Sequence, residues 1–284
     1  MQTRHYVSSV VSSIVLSTAL FTATAFIMGC APSAPQLKKV VEDNPDILYA
    51  AMRKDPVQFL KVADEVAEKA KAIQEQQQFE AGFTNPLKPD IDEKRIIEGS
   101  KTAAVTIVEY SDFQCPYCQQ GHKTMLDLLK AYDGKVRVTM KNYPIDGRHP
   151  QARRMARLFE AMGTKDHAKA IQFQALLFER QEDFSPNDAE KKSKSETEFR
   201  SKYDKRVEAD LAKIVKGMGF DYAELKKIGD SEAINTLIGQ DEAEAKKFGF
   251  SGTPGYVVNG VAVRGAYPVE AFKGIIDRHL AAKK

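Results

Sequence analysis

Residues 105–118 read Val105-Thr106-Ile107-Val108-Glu109-Tyr110-Ser111-Asp112-Phe113-Gln114-Cys115-Pro116-Tyr117-Cys118. The first six are mostly β-branched or aromatic and predict a strand. Pro116 suits the first turn of a helix, where its missing N–H costs nothing. Met125, Leu126, Leu128 and Leu129 supply that helix with an inner face, so a helix is expected over 116–132. Residues 136–140 predict the next strand. A strand, a helix and another strand make a βαβ unit, and with it an α/β fold. Both cysteines stand where the first strand hands over to the helix.

A Cys-x-x-Cys pair either cycles between dithiol and disulfide or contributes to a zinc site. Structural zinc takes four ligands. The chain holds only three Cys in all, and His122, one turn after Cys118, leaves the set short. The context therefore favours redox chemistry. Unpaired backbone N–H groups and the helix dipole stabilise a thiolate on Cys115, taking it below the free thiol value of about 8.5. Cys118 lies one turn inside. Cys115 is then the attacking thiol and Cys118 the resolving one, with Pro116 and Tyr117 setting the poise of the pair.

Working outward, 284 residues suit one or two domains. The sequence is 43% hydrophobic and 29% charged, which excludes a disordered chain and a polytopic membrane protein. A net charge of +3 gives no reason to expect nucleic-acid binding. Arg4, an uncharged stretch over 6–28 and small residues after it read as a secretory signal. An uncleaved membrane anchor is the alternative. Ile27-Met28-Gly29-Cys30 resembles the lipobox of bacterial lipoproteins, which implies a lipidated Cys30. The expected order is a signal peptide over 1–29, a lipidated tether over 30–36 and a helical oligomerisation segment over 37–82. Asn44-Pro45 and Asp55-Pro56 mark helix starts. Phe59, Ala63, Val66, Ala70, Ile73 and Gln77 form a heptad-like seam over 56–80. That helix either joins copies of the chain or packs back on its own domain. Residues 82–89 read as a linker, and a globular domain begins near Ile91.

Residues 150–248 read as nearly all helical, with 181–206 a solvated, charge-rich loop and helix edge. Tyr256-Val257-Val258, Asn259-Gly260 and Val261-Ala262-Val263 spell a hairpin with a two-residue turn. A closing helix follows over 268–279.

On these residues the chain resembles the thioredoxin fold and, within it, the DsbA-like thiol:disulfide oxidoreductases, over residues 90–282. Three features carry the resemblance besides Cys-Pro-Tyr-Cys. Glu109, six residues before Cys115, matches the family's buried acid, which assists proton transfer at the resolving Cys; the alternative is an exposed strand-end carboxylate. Gly252-Thr253-Pro254 matches the cis-proline loop beside the dithiol, implying that Thr253 and Pro254, with Pro116 and Tyr117, contact the client. The helical stretch at about 150–248 sits where that family inserts a helical domain. Glutaredoxins share the motif but are much shorter. The dipeptide Pro-Tyr is similar to the isomerase and reductase branch, including DsbG, and the N-terminal helices are similar to those of ScsC-like proteins, which assemble into oligomers. His122 is expected on the helix surface and His149 in a loop.

The resemblance implies an exported, lipid-anchored oxidoreductase or isomerase of the bacterial cell envelope, periplasmic or surface-exposed. It would act on client proteins, would be recharged by a redox partner and would need neither metal nor organic cofactor. A dedicated reductase, or an oligomeric surface chaperone with an incidental dithiol, are the competing readings.

Overall fold

The protein is described here by a computed structural model, which covers residues 34–282. The expected signal peptide, Cys30 and the start of the tether lie outside the described residues. The chain divides into two units, Met1–Ala72 and Ile73–Lys284.

In the first unit, α1 (Ala34–Asp43), α2 (Pro45–Lys54) and most of α3 (Pro56–Thr84) follow one another. Helix α1 starts at Ala34, so the last residues of the expected tether are helical. Asp55 caps α3, its Oδ1 accepting from Gln58 N at 2.9 Å. Asn44 does not cap α2; its side-chain amide donates back to Val40 O at 3.0 Å and closes α1 instead. Val57, Leu60 and Val66 on α3 are 76%, 61% and 59% exposed.

The second unit is built on a five-stranded sheet of order β1-β3-β2-β4-β5. Its strands are β1 (Ile97–Gly99), β2 (Val105–Ser111), β3 (Val136–Asn142), β4 (Gly255–Val258) and β5 (Val261–Arg264). Strands β2 and β3 run parallel, and the other pairs antiparallel. Helix α4 (Pro116–Ala131) is the crossover between β2 and β3, as the sequence predicts. Strand β2 is central and buried on both faces, which is why it reads as a continuous apolar run. Ile107, Met125, Leu128, Phe272 and Ile276 pack on one face, the last two from the closing helix α11 (Val269–Ala281). Val108, Tyr110, Phe248, Phe250 and Val257 pack on the other. The hairpin turn carries positive φ at Asn259 and Gly260, 45° and 100°, the two-residue type I′ arrangement.

The expected linker is not loose. Helix α3 continues to Thr84 because Phe79 and Phe83 pack against the core beneath α11 and the hairpin. Leu87 N then donates to Gly260 O at 2.9 Å.

Between β3 and β4 stand α5 (Ala152–Gly163), α6 (His167–Glu179), a 3-10 turn (Gln181–Phe184), α7 (Asp188–Lys191), α8 (Glu196–Gly217), α9 (Tyr222–Gly229) and α10 (Glu232–Lys247). Their core, around Phe159, Phe173, Phe184, Tyr203 and Leu211, also takes in Phe113, Cys115 and Cys118 of the redox loop and helix. The segment 181–206 is mostly exposed, as expected of a solvated loop and helix edge, but it is pinned at a few points. Phe184 and Tyr203 are fully buried anchors, and the surrounding charges pair with one another, as Arg206 does with Glu190 at 2.6 Å. The insertion is joined to the sheet by a buried charge cluster. Arg95 reaches Asp241 at 2.7 Å and Glu160 at 2.5 Å, and Asp241 accepts from Asn142 N of β3 at 2.9 Å.

Candidate active site

Cys115 is the residue before the first turn of α4, with extended backbone at φ −77° and ψ 120°. Its N–H donates to Asp112 O at 3.1 Å, which closes the loop from β2. Its Sγ lies 3.4 Å from Thr253 O. The Thr253–Pro254 bond is cis, as the family resemblance implies. The expected loop and the expected dithiol therefore meet. Pro116 and Tyr117 are exposed, Tyr117 at 66%. Both sulfurs are free thiols.

The two thiols differ sharply. Cys115 is lowered to about 6, chiefly by the hydrogen bond from the Cys118 thiol, with help from Thr253 and from the backbone N–H groups of Cys118 and Tyr117, against the opposing effect of burial. Cys118 is fully buried, and burial followed by the neighbouring Cys115 holds it well above the ordinary thiol range. Asp112 N–H donates to the Cys118 sulfur at 3.4 Å. One thiol is ready to attack at neutral pH, and the other stays protonated until its proton is taken.

Glu109 is fully buried, not exposed at the strand end. Its Oε1 accepts from Ser111 Oγ at 2.9 Å, and its Oε2 has no partner among the described residues. Burial raises it to about 8. A carboxyl that titrates near neutrality suits proton exchange. Tyr256 stands opposite Glu109 in the β2–β4 register, and its hydroxyl fits the notch left by Gly121 on α4. Neither was visible from the motif, although Tyr256 stands two residues after Pro254.

His122 corrects the surface reading. It is buried, its ring stacks on Phe178 with centroids 4.9 Å apart, and burial lowers it to about 4, so it is neutral. His149 is in a loop as expected, but its Nδ1 lies 2.8 Å from Asp112 Oδ2. Sequence reasoning also passed over three glutamines that tie the site to the insertion. Gln181 Nε2 donates to Phe113 O at 2.8 Å and Cys115 O at 3.0 Å. Gln114 Nε2 donates to Tyr203 Oη at 2.9 Å, and Gln119 Nε2 to Phe178 O at 2.5 Å.

Residues 92–278 match the model of the family described as Thioredoxin. A Salinispora tropica protein named Na(+)/H(+) antiporter NhaA 3 is 29% identical over 199 residues, 70% of this chain and 26% of that protein. The chain thus spans about a quarter of the antiporter relative's length. A Rickettsia typhi protein whose name reads "Putative protein-disulfide oxidoreductase" is 24% identical over 72% of this chain and 68% of its own. Among solved structures, oxidised BdbD from Bacillus subtilis superposes with a TM-score of 0.55 at 22% identity, covering 69% of this chain and 97% of that one. With its βαβ unit, cis proline and inserted helices in that arrangement, the chain belongs to the thioredoxin family.

Proposed function

We propose that this chain exchanges disulfides in client proteins outside the cytoplasm. The observation that carries the reading is the Cys115 sulfur, depressed to about 6 and 3.4 Å from Thr253 O, beside a buried Cys118 held above the ordinary thiol range. The Cys115 thiolate attacks a client disulfide and forms a mixed disulfide, releasing one client thiolate. Glu109, in its ionised form, takes the Cys118 proton, and Cys118 attacks Cys115 Sγ. The second client sulfur leaves as a thiolate, which takes a proton from solvent; the client has gained two electrons, and Cys115–Cys118 is a disulfide. Run in reverse, the same steps oxidise a client dithiol. In isomerisation a client thiol resolves the mixed disulfide in place of Cys118. Thr253 and Pro254 line one side of the client strand, and Pro116 and Tyr117 the other. The sulfurs carry the electrons, so no organic cofactor enters these steps.

Export rests on the sequence of the first thirty residues, and anchoring on a lipidated Cys30 in the cell envelope. No helix among the described residues is long and apolar enough to cross a membrane. Assembly rests on the apolar side chains exposed on α3. Deleting residues 34–72 is expected to lower the mass in light scattering to that of one chain. An unchanged mass would sink the oligomer.

The reduction potential of the pair, equilibrated in glutathione buffers, tests the function. A value between roughly −120 mV, as in DsbA, and roughly −270 mV, as in thioredoxin, is expected. The oxidising end marks a donor of disulfides, the middle an isomerase and the reducing end a dedicated reductase. A pair that forms no disulfide across that range refutes all three.

A further inference from the structure

Asp112 sits at the centre of the redox loop. Its carboxylate is buried and accepts from Gln114 N at 2.7 Å, Ile145 N at 2.7 Å and His149 Nδ1 at 2.8 Å. Its backbone brackets both cysteines, the C=O accepting from Cys115 N at 3.1 Å and the N–H donating to Cys118 Sγ at 3.4 Å. The three acceptor contacts give the loop its shape. They also hold a carboxyl group in the loop that carries the sulfur that must become a thiolate. Like charges away from water repel strongly, and a neighbouring carboxylate disfavours ionisation of a thiol. The loop needs Asp112 for its geometry, and an ionised Asp112 would oppose the thiolate electrostatically.

His149 is bound to that carboxylate, its side chain 20% exposed. Asp112 and Cys115 face the ring from the β2–α4 side, and Arg148 faces it from its own loop. The hydrogen bond to Asp112 and then the charges of Asp112 and Cys115 raise its protonation point, against partial burial and Arg148.

We propose that His149 is a positioning residue for the redox chemistry: as an imidazolium it is the counter-ion of Asp112, letting the loop keep its buried carboxylate while Cys115 ionises beside it. This rests on the reading of Cys115 as the exchanging thiol. The pairing makes the poise of the dithiol depend on pH. As the imidazolium loses its proton, the carboxylate charge is uncovered and the thiolate is disfavoured.

The test is the titration of Cys115 in the full chain, followed by thiolate absorbance and by alkylation rate. His149→Gln keeps a donor for Asp112 and removes the charge. It is expected to move the Cys115 midpoint up by about one pH unit, close to tenfold less thiolate in mildly acidic buffer. His149→Gln combined with Asp112→Asn removes both charges and is expected to return the midpoint towards that of the unaltered chain. A packing role alone gives no such rescue. An unmoved midpoint in the single variant, or no recovery in the double, overturns the proposal. A second measurement needs no variant. The His149 ring, titrated by NMR, is expected to hold its proton to higher pH in the dithiol form than in the disulfide form. Equal midpoints in the two forms overturn the proposal as well. These titrations involve no client, so failure of the charge pair shows at Cys115, and failure of the exchange reading shows only in the reduction potential and client assays.

Discussion

Cys118→Ala is expected to halt exchange at its first covalent product. Cys115 keeps its place at the start of α4 and its contact with Thr253 O, so attack on a client disulfide still proceeds. The thiol that would complete the reaction is gone. Resolution then falls to thiols from solution, which lack the effective molarity of a group one helical turn away, and slows by roughly a hundredfold or more. Mixed disulfides with exported proteins should accumulate on non-reducing gels, and Cys115→Ala should abolish them. The loss of the Cys118–Cys115 hydrogen bond should also raise the Cys115 midpoint, because that bond is the largest influence lowering it. A Cys118→Ala chain that traps nothing would favour a surface-binding protein whose dithiol is incidental.

Arg95→Ala is expected to cost the most stability of any single change in the catalytic unit. The guanidinium binds Asp241 and Glu160, and the three side chains are only 8%, 2% and 7% exposed. Removing it leaves two buried carboxylates against each other. Breaking a buried ion pair from one side costs about 3–5 kcal/mol. Denaturant unfolding would read that loss directly. Burial already raises Glu160, with Arg95 the largest influence opposing it. Without Arg95 the carboxyl binds a proton more readily, so the deficit should narrow as pH falls and the acids protonate. A loss under about 1 kcal/mol would mean that Lys141, 3.9 Å from Asp241, takes over the pairing.

The parts of this protein that were legible in its sequence are local ones. The run at 105–110, the proline after Cys115 and the Asn259-Gly260 turn each act through the backbone of their own few residues, and each stands where it was read. The resemblance supplied the buried acid and the cis proline, which no periodicity encodes. What was missed depends on segments distant in the chain. His122 reads as surface beside Lys123, but Phe178 of the insertion covers it. Residues 181–206 are mostly solvated as read, but the two aromatics that anchor them, Phe184 and Tyr203, are hidden among the charges. Tyr256 looks like any apolar strand residue until the register sets it opposite Glu109. Residues 82–89 read as a linker because Gly and Pro usually punctuate structure, whereas here Gly82 and Gly260 allow close approach to Val261 and Pro86.

The three glutamines that reach the redox loop bear on how this chemistry could be moved to another scaffold. Gln181 holds the carbonyls of Phe113 and Cys115 from the insertion, Gln114 is anchored on Tyr203, and Gln119 on Phe178. A designer who grafted residues 105–131 with their sheet into a minimal host would carry both sulfurs but lose the Gln181 amide and the partners of Gln114 and Gln119. The smallest transplantable cassette therefore includes the turn at Gln181–Phe184 and the helices that bear Phe178 and Tyr203. The helical insertion is part of the tool, and trimming it to make a compact reagent would blunt the working edge.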